Sequence, residues 1–386
     1  MNHGVHVFRA NRESLVIDWA PQDHSIWNWL FPARTVGDIQ GRLRSNNFDE
    51  LRIVFSGMVV LFHIAVLSQL HQFRWIMAVS SGVLAVQCFF FVSGFLVTMS
   101  CERSVTLVSY FKKRVARIAP AYVVVIVAAA ILLSLISTLP LGAYFKSAGL
   151  RRYLVFNLIL ANFVAPDLPG VFLNSPEESA VNGSLWTIKI EVAFYCVVPV
   201  ILWAARRFGG ARVAGAIFVA SILWFLSFTA AFKYSGEEIY LKLAKQLPGQ
   251  MSYFMGGAWA YYRTRDGLPP PRLWLAAFAA LAYALTDGVL HQVTAPLAVT
   301  AMVYWLAITA PSIGRFGKYG DVSYGIYLYH FPIVQIFLAL GLFARAPVVS
   351  LVLIFGLVLV LAFASWHVIE NPFLHRRSHA VAEMRS

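Results

Sequence analysis

Ten runs of predominantly apolar residues dominate the chain: 51–70, 82–100, 120–139, 184–205, 211–232, 247–262, 272–287, 290–311, 322–343 and 346–369. Most approach the ~20 residues that a helix needs to cross the ~30 Å hydrocarbon core of a bilayer. The two shortest are 247–262 and 272–287. This pattern predicts an all-α fold, a polytopic transmembrane bundle with about ten spanning helices. An eleventh apolar run, 150–165, is shorter and opens with Arg151 and Arg152. It is expected to lie at the interface or re-enter on the outer face.

Composition points the same way. The 386 residues are 59% hydrophobic and 13% charged, with a mean hydropathy of +0.68. A soluble globular chain carries about 25% charged residues, so this one has too few polar groups to cover a water-facing surface. The net charge of +13 does not mark a nucleic-acid binder, because no basic patch accompanies a soluble motif. The cations sit instead in short loops between apolar runs, where they report topology. With residue 1 inside and 150–165 not crossing, 22 of the 31 Lys and Arg fall on the inner side and 8 on the outer. If 150–165 crossed, every later loop would change sides and the basic RRFGGAR loop at 206–212 would lie outside.

Both termini are therefore expected in the cytoplasm, with the bundle in the inner (cytoplasmic) membrane. The expected divisions are a cytoplasmic extension at 1–45, a transmembrane domain at 46–375 and a cytoplasmic tail at 376–386. The extension has no apolar core followed by a cleavage site and does not read as a signal peptide. The longest outer loop, 140–183, contains Asp167, Glu177 and Glu178, and its Pro and Gly residues mark irregular structure. Cys88, Cys101 and Cys196 show neither a CxxC nor a zinc spacing, so neither a disulfide framework nor a metal site is expected.

Ionisable residues within apolar helices cost about 2.5–3.5 kcal/mol on insertion scales and are functional candidates by default. His63, Glu191 and His330 stand out, with Lys189 as a fourth case. Arg52 opens the first helix, and His63 lies eleven residues on. Eleven steps of about 100° come within about 20° of three full turns, so the two side chains share a face, roughly 16 Å apart along the axis. Arg52 suits an anionic group such as phosphate. An elongated donor with a phosphate head and a reactive tail fits between the two. The plainer alternative is that Arg52 anchors the helix end and His63 bonds a neighbouring helix.

Glu191 and His63 each lie about seven residues from the outer end of their helices and can share a depth. A carboxylate beside an imidazole fixes its tautomer and raises its basicity, so the two are expected to form one unit. A structural ion pair is the alternative. Lys189 lies about 200° round the helix from Glu191 and points elsewhere. Lys112, Lys113, Arg114 and Arg117 cluster on the inner side, with Arg114 and Arg117 at i, i+3. They read either as an ordinary positive loop or as a site for a phosphate-rich ligand. Tyr324, Tyr327 and His330 recur every three residues as a slowly turning polar stripe, which either lines a cavity or satisfies interhelical bonds. No Walker, GxGxxG, HExxH or GxSxG motif occurs in a supporting context. Ser93, in VSGF, lacks the upstream glycine of a nucleophile elbow.

Five segments in order resemble the acyltransferase 3 family of integral membrane O-acyltransferases. These are the Arg52-x10-His63 spacing, FFFVSGFLV at 89–97, RVAR at 114–117, NGSLWTIKIEVAFYCVVP at 182–199 and YGDVSYGIYLYHFPIV at 319–334. The likeness covers residues 46–375. It departs at Glu370-Asn371-Pro372, where the family usually has Glu-Arg-Pro. Members with a fused esterase-like SGNH domain continue past the last helix; this chain is expected to act without one.

The resemblance implies transfer of an acyl group, usually acetyl from acetyl-CoA, to a hydroxyl of a carbohydrate or lipid-linked glycan. It implies that Arg52 and His63 are essential, that Arg114 and Arg117 face the acyl-CoA side, and that Glu191 belongs to the active site. Ser93, Trp186, Tyr324, Tyr327 and His330 are then expected to line the cavity. His63 would act as general base or carry the acyl group transiently. The alternative for the same His and Glu residues is a proton-coupled secondary transporter, which predicts inverted repeats that the sequence does not display.

Overall fold

The computed structural model describes residues 46–374, except 174, 176–178, 313 and 315. The expected extension at 1–45, the tail at 376–386 and the acids Glu177 and Glu178 lie outside the described residues. Among the described residues the chain is helical throughout and has no strand. The principal helices are α1 (Phe48–Ser68), α2 (Gly82–Glu102), α3 (Leu107–Leu132), α4 (Ala148–Leu158), α5 (Trp186–Phe208), α6 (Gly210–Ser235), α7 (Leu247–Arg265), α8 (Leu273–Leu285), α9 (Gly288–Tyr304), α10 (Ser323–Ala339) and α11 (Pro347–Ser365).

Each of the ten long apolar runs forms a helix, but among the described residues seven helices are long and apolar enough to cross a membrane. These are α1, α2, α3, α5, α6, α9 and α11, some with short helical extensions. The expected count of about ten spans is not confirmed, for a physical reason. α7 is buried on nearly every side, including Gln250, Ser252 and Thr264. A helix surrounded by protein does not need the uniform apolar coat that lipid demands. α10, with 17 residues, is likewise largely buried, while α8 has 13 residues. By contrast α6 and α11 bury little of their surface and present Val219, Leu223, Val352 and Val360 outward. The molecule is a multi-pass membrane bundle.

Small residues let the central pair approach closely. A methyl group on Gly94 of α2 would overlap the Phe254 carbonyl of α7, and one on Gly257 of α7 would overlap the Phe91 carbonyl of α2. Backbone contact of this kind is the usual source of helix association where no hydrophobic drive exists.

Two prolines shape the interior. Pro199 in α5 and Pro332 in α10 have no N–H to give the carbonyl four residues back. The carbonyls so released are those of Tyr195 and Leu328, and both are satisfied from other segments. The Tyr110 hydroxyl donates to Tyr195 O at 3.0 Å, and the Asn182 amide to Leu328 O at 2.9 Å. These bonds fix α3 against α5 and the loop before α5 against α10.

The 150–165 run forms α4, whose 11 residues span about 16 Å, too short to cross. It packs on α3, where the Tyr122 hydroxyl donates to Asn157 O at 2.8 Å.

Candidate active site

A cavity of about 960 Å³ opens between α2, α3, α5 and α10. Its lining runs along α2 from Val86 to Ser100, about 21 Å at helical rise. One end is basic, with Arg52, Lys112, Lys113, Arg114 and Arg117. The other holds Thr187 and Tyr327 among apolar side chains such as Phe89 and Phe90, with Glu191 between the two ends at the level of Ser93.

The three expected arginines reach the cavity in different electrostatic states. Arg52 is ion-paired with Asp321, and Arg117 Nη2 lies 2.6 Å from the same carboxylate. Arg117 Nη1 also meets Glu370 at 3.2 Å. Glu370 is fully buried and accepts from the Ser365 hydroxyl at 3.1 Å. It ends a π-helical turn, Trp366–Glu370, and the extra residue of such a turn re-aims a side chain relative to a regular helix. Burial raises the pKa of the Asp321 carboxyl, but Arg117, Arg52 and the Ser323 hydroxyl outweigh it and hold the group at about 2. Arg114 differs. It has no acidic partner among the described residues, donates to Ser100 Oγ at 3.2 Å and lies 5.5 Å over the Tyr195 ring. Its buried Nε has no hydrogen-bond partner. Arg114 is therefore a cation with unused donor capacity in the cavity wall.

Midway along the cavity, Glu191 Oε1 accepts from the Tyr195 hydroxyl at 2.5 Å and the Ser93 hydroxyl at 3.3 Å. Thr187 Oγ1 and Tyr327 OH share a bond of 2.6 Å. The Tyr327 ring meets the Phe89 ring edge-on at 5.9 Å, and both line the cavity. His330 does not line it, its ring 5.9 Å from that of Tyr327. Beyond His330 is His63, joined to it by a bond of 3.0 Å between His330 Nε2 and His63 Nδ1. His63 Nδ1 is also 3.0 Å from Val59 O, and the ring is flanked edge-on by Phe331 and Phe62.

The expected direct union of His63 with Glu191 is not present: the hydrogen bonds of His63 run to His330 and Val59, and those of Glu191 to Tyr195 and Ser93. Equal depth fixes height in the bundle but not direction. α1 packs on α2 and α10, so His63 meets a residue of α10. Glu191, on α5, looks across the cavity at α2.

Among the expected lining residues, Ser93, Tyr324 and Tyr327 line the cavity, whereas Trp186 and His330 do not. Trp186 is 40% exposed; it lies five residues, about 500°, from Glu191, which turns it roughly 140° away. His330 is fully buried. A three-residue repeat falls 60° short of a full turn at each step, so the stripe that begins in the cavity at Tyr324 has left it by His330. Lys189 also points away, over the Phe163 ring at 4.7 Å. Asp321, Tyr195 and Thr187 are residues that the motif spacing did not single out, and Glu370 entered only as the first residue of Glu370-Asn371-Pro372. Glu370, an acid at the end of a long apolar run, carried the clearest signal.

Comparison with known proteins accords with this arrangement. The profile of the acyltransferase 3 family, described as an acyltransferase domain, matches residues 45–367. The chain belongs to this family. This acyltransferase is 27% identical over 343 residues to an O-acetyl transferase of Shigella phage Sf6, covering 87% of this chain and 98% of that one. It is 28% identical to Nodulation protein 10 of Rhizobium leguminosarum bv. viciae, over 88% of this chain and 96% of that one. It is also 28% identical to the exopolysaccharide production protein ExoZ of Rhizobium meliloti, over 76% and 90% respectively. No solved structure matches the acyltransferase.

Proposed function

We propose that this acyltransferase moves an acyl group, acetyl in the simplest case, from a cytoplasmic acyl-CoA to a hydroxyl of a glycan or lipid-linked glycan. The observation that carries the proposal is the elongated cavity with Arg114 and two lysines at one end and, farther along it, the carboxylate of Glu191 followed by neutral and apolar side chains. A coenzyme A thioester has that distribution of charge: phosphates at its head and a neutral reactive carbonyl at its tail. Arg114 is the principal phosphate ligand, because it retains donors that no carboxylate occupies. Arg52 and Arg117 contribute field on the same side while held by Asp321. The names of the relatives, an O-acetyl transferase and an exopolysaccharide production protein, support the choice of acceptor class.

His63 is the general base. It takes the proton of the acceptor hydroxyl as the oxygen attacks the thioester carbonyl. The tetrahedral adduct collapses, the carbon–sulfur bond breaks, and the proton returns to the departing thiolate. Products are the acyl ester and free coenzyme A. The acyl end reaches the histidines past the Phe89–Tyr327 ring pair, by rotation of the half-buried Phe89. Glu191, with Tyr195 and Ser93, sets the polarity midway along the donor cavity.

Mass spectrometry of surface glycans from a strain lacking the gene tests this. Loss of an acyl ester, restored by the wild-type chain and not by His63→Ala at equal membrane levels, is expected. Unchanged glycans in the deletion strain would count against the acceptor class.

A further inference from the structure

The base proposed above has a defined tautomer only if something fixes it, and the network around it does so. His330 Nδ1 lies 2.8 Å from Tyr327 O. A carbonyl can only accept, so this nitrogen carries the hydrogen. In neutral His330, Nε2 then holds a bare lone pair, and it faces His63 Nδ1 at 3.0 Å. His63 Nδ1 also faces Val59 O, a second acceptor, so it too carries a hydrogen, shared between the two. Neutral His63 is left with its lone pair on Nε2, which has no hydrogen-bond partner among the described residues.

We infer that His330 is a positioning residue that holds His63 as the Nδ1–H tautomer, presenting Nε2 to the acceptor hydroxyl. This inference rests on the reading of His63 as the base. When Nε2 takes the proton, His63 becomes an imidazolium whose Nδ1–H still points at the lone pair of His330. The neutral imidazole thus does by hydrogen bonding what a carboxylate does in an acid–histidine pair. Its own orientation comes from α10: Tyr327 supplies the acceptor three residues back. Full burial leaves no water to compete for Nε2. Without His330, His63 Nδ1 retains Val59 O, but the ring loses its second acceptor, the bond that sets its plane and supports the imidazolium.

The test compares three substitutions by acyl transfer kinetics on purified protein, with kcat and the KM of each substrate measured separately. His330→Gln can return an oxygen acceptor near the position of Nε2. His330→Leu removes the acceptor while filling the space, and His330→Asn keeps polarity but cannot reach as far. His330→Leu and His330→Asn are expected to lose about 100-fold or more in kcat, the range of general-base contributions, with both KM values within about threefold. His330→Gln is expected to stay within about tenfold of wild type. If His330→Leu does not fold, the contrast between Asn and Gln decides alone. Equal losses in Gln and Asn, or wild-type kcat in Asn, would overturn the inference. His63→Ala separates this from the underlying reading. An inactive His63→Ala beside an unaffected His330→Asn removes the role of His330 alone, and an active His63→Ala removes the base itself.

Discussion

Asp321 holds two arginines at once, and this sets the electrostatics of the basic end. Its carboxyl is held at about 2, below the ~3.9 of an unperturbed aspartate. A depressed folded-state value contributes stability that is complete above the unfolded value and is lost as the pH falls through about 2. Asp321 therefore stays ionised from pH 8 to pH 5. The pH–activity profiles of wild type and Asp321→Asn should run parallel over that range, with the variant lower throughout. An acid limb that disappears in the variant would contradict this assignment. Thermal unfolding of Asp321→Asn should show a loss of about 1–3 kcal/mol, less than the ~3–5 kcal/mol of a fully buried pair, since all three side chains keep some exposure. Arg114 should behave differently, because no carboxylate holds it. Arg114→Ala is expected to raise the KM for acyl-CoA about tenfold or more, from ~1.5–3 kcal/mol for a charged hydrogen bond, and to leave the acceptor KM unchanged. A change in acceptor KM alone would exclude the phosphate role. His63, Glu191 and Arg114 were legible in the sequence because charge within or beside an apolar run is costly. Asp321 was not, because an aspartate in a loop is ordinary until its partners are known.

Individual helices were legible from apolar runs, whereas their facing directions were not. The periodicity of α5 gives the depth of Glu191 but not the neighbour it meets, and the partner of His63 followed from α1 lying against α10. The tight pairing of α2 and α7 was also hidden, because glycines spaced through an apolar run do not say which helix approaches them. That contact gives a sharp contrast. Gly257→Leu should destabilise by about 1–3 kcal/mol or more through overpacking, because its Cβ would overlap the Phe91 carbonyl. Gly215→Leu on α6, where nothing lies within 4 Å of the added atom, should unfold within a degree or two of wild type. Thermal melts in detergent compare the two; equal melting would contradict the close approach of α2 and α7.

Across the whole molecule, the all-helical membrane-bundle class followed from hydropathy alone, because lipid imposes apolar length so strictly. The number of qualifying spans did not, because protein-surrounded helices such as α7 escape that constraint. The basic-residue asymmetry gives a sidedness that can be checked directly. With the exposed Cys196 replaced by Ala, single cysteines at Phe208 and Tyr234, both exposed, should react with an impermeant thiol reagent from opposite sides. Equal labelling from one side would contradict the proposed topology and the cytoplasmic donor with it. The most direct measurement is transfer from radiolabelled acetyl-CoA in sealed inverted membrane vesicles, which present the cytoplasmic face to the added donor. Wild type should incorporate label into the glycan fraction without permeabilisation, and His63→Ala, at equal membrane levels, should incorporate less than about one hundredth as much. Label transfer by His63→Ala at the wild-type rate, or transfer by wild type only from the opposite face, would contradict a cytoplasmic thioester donor served by a histidine base.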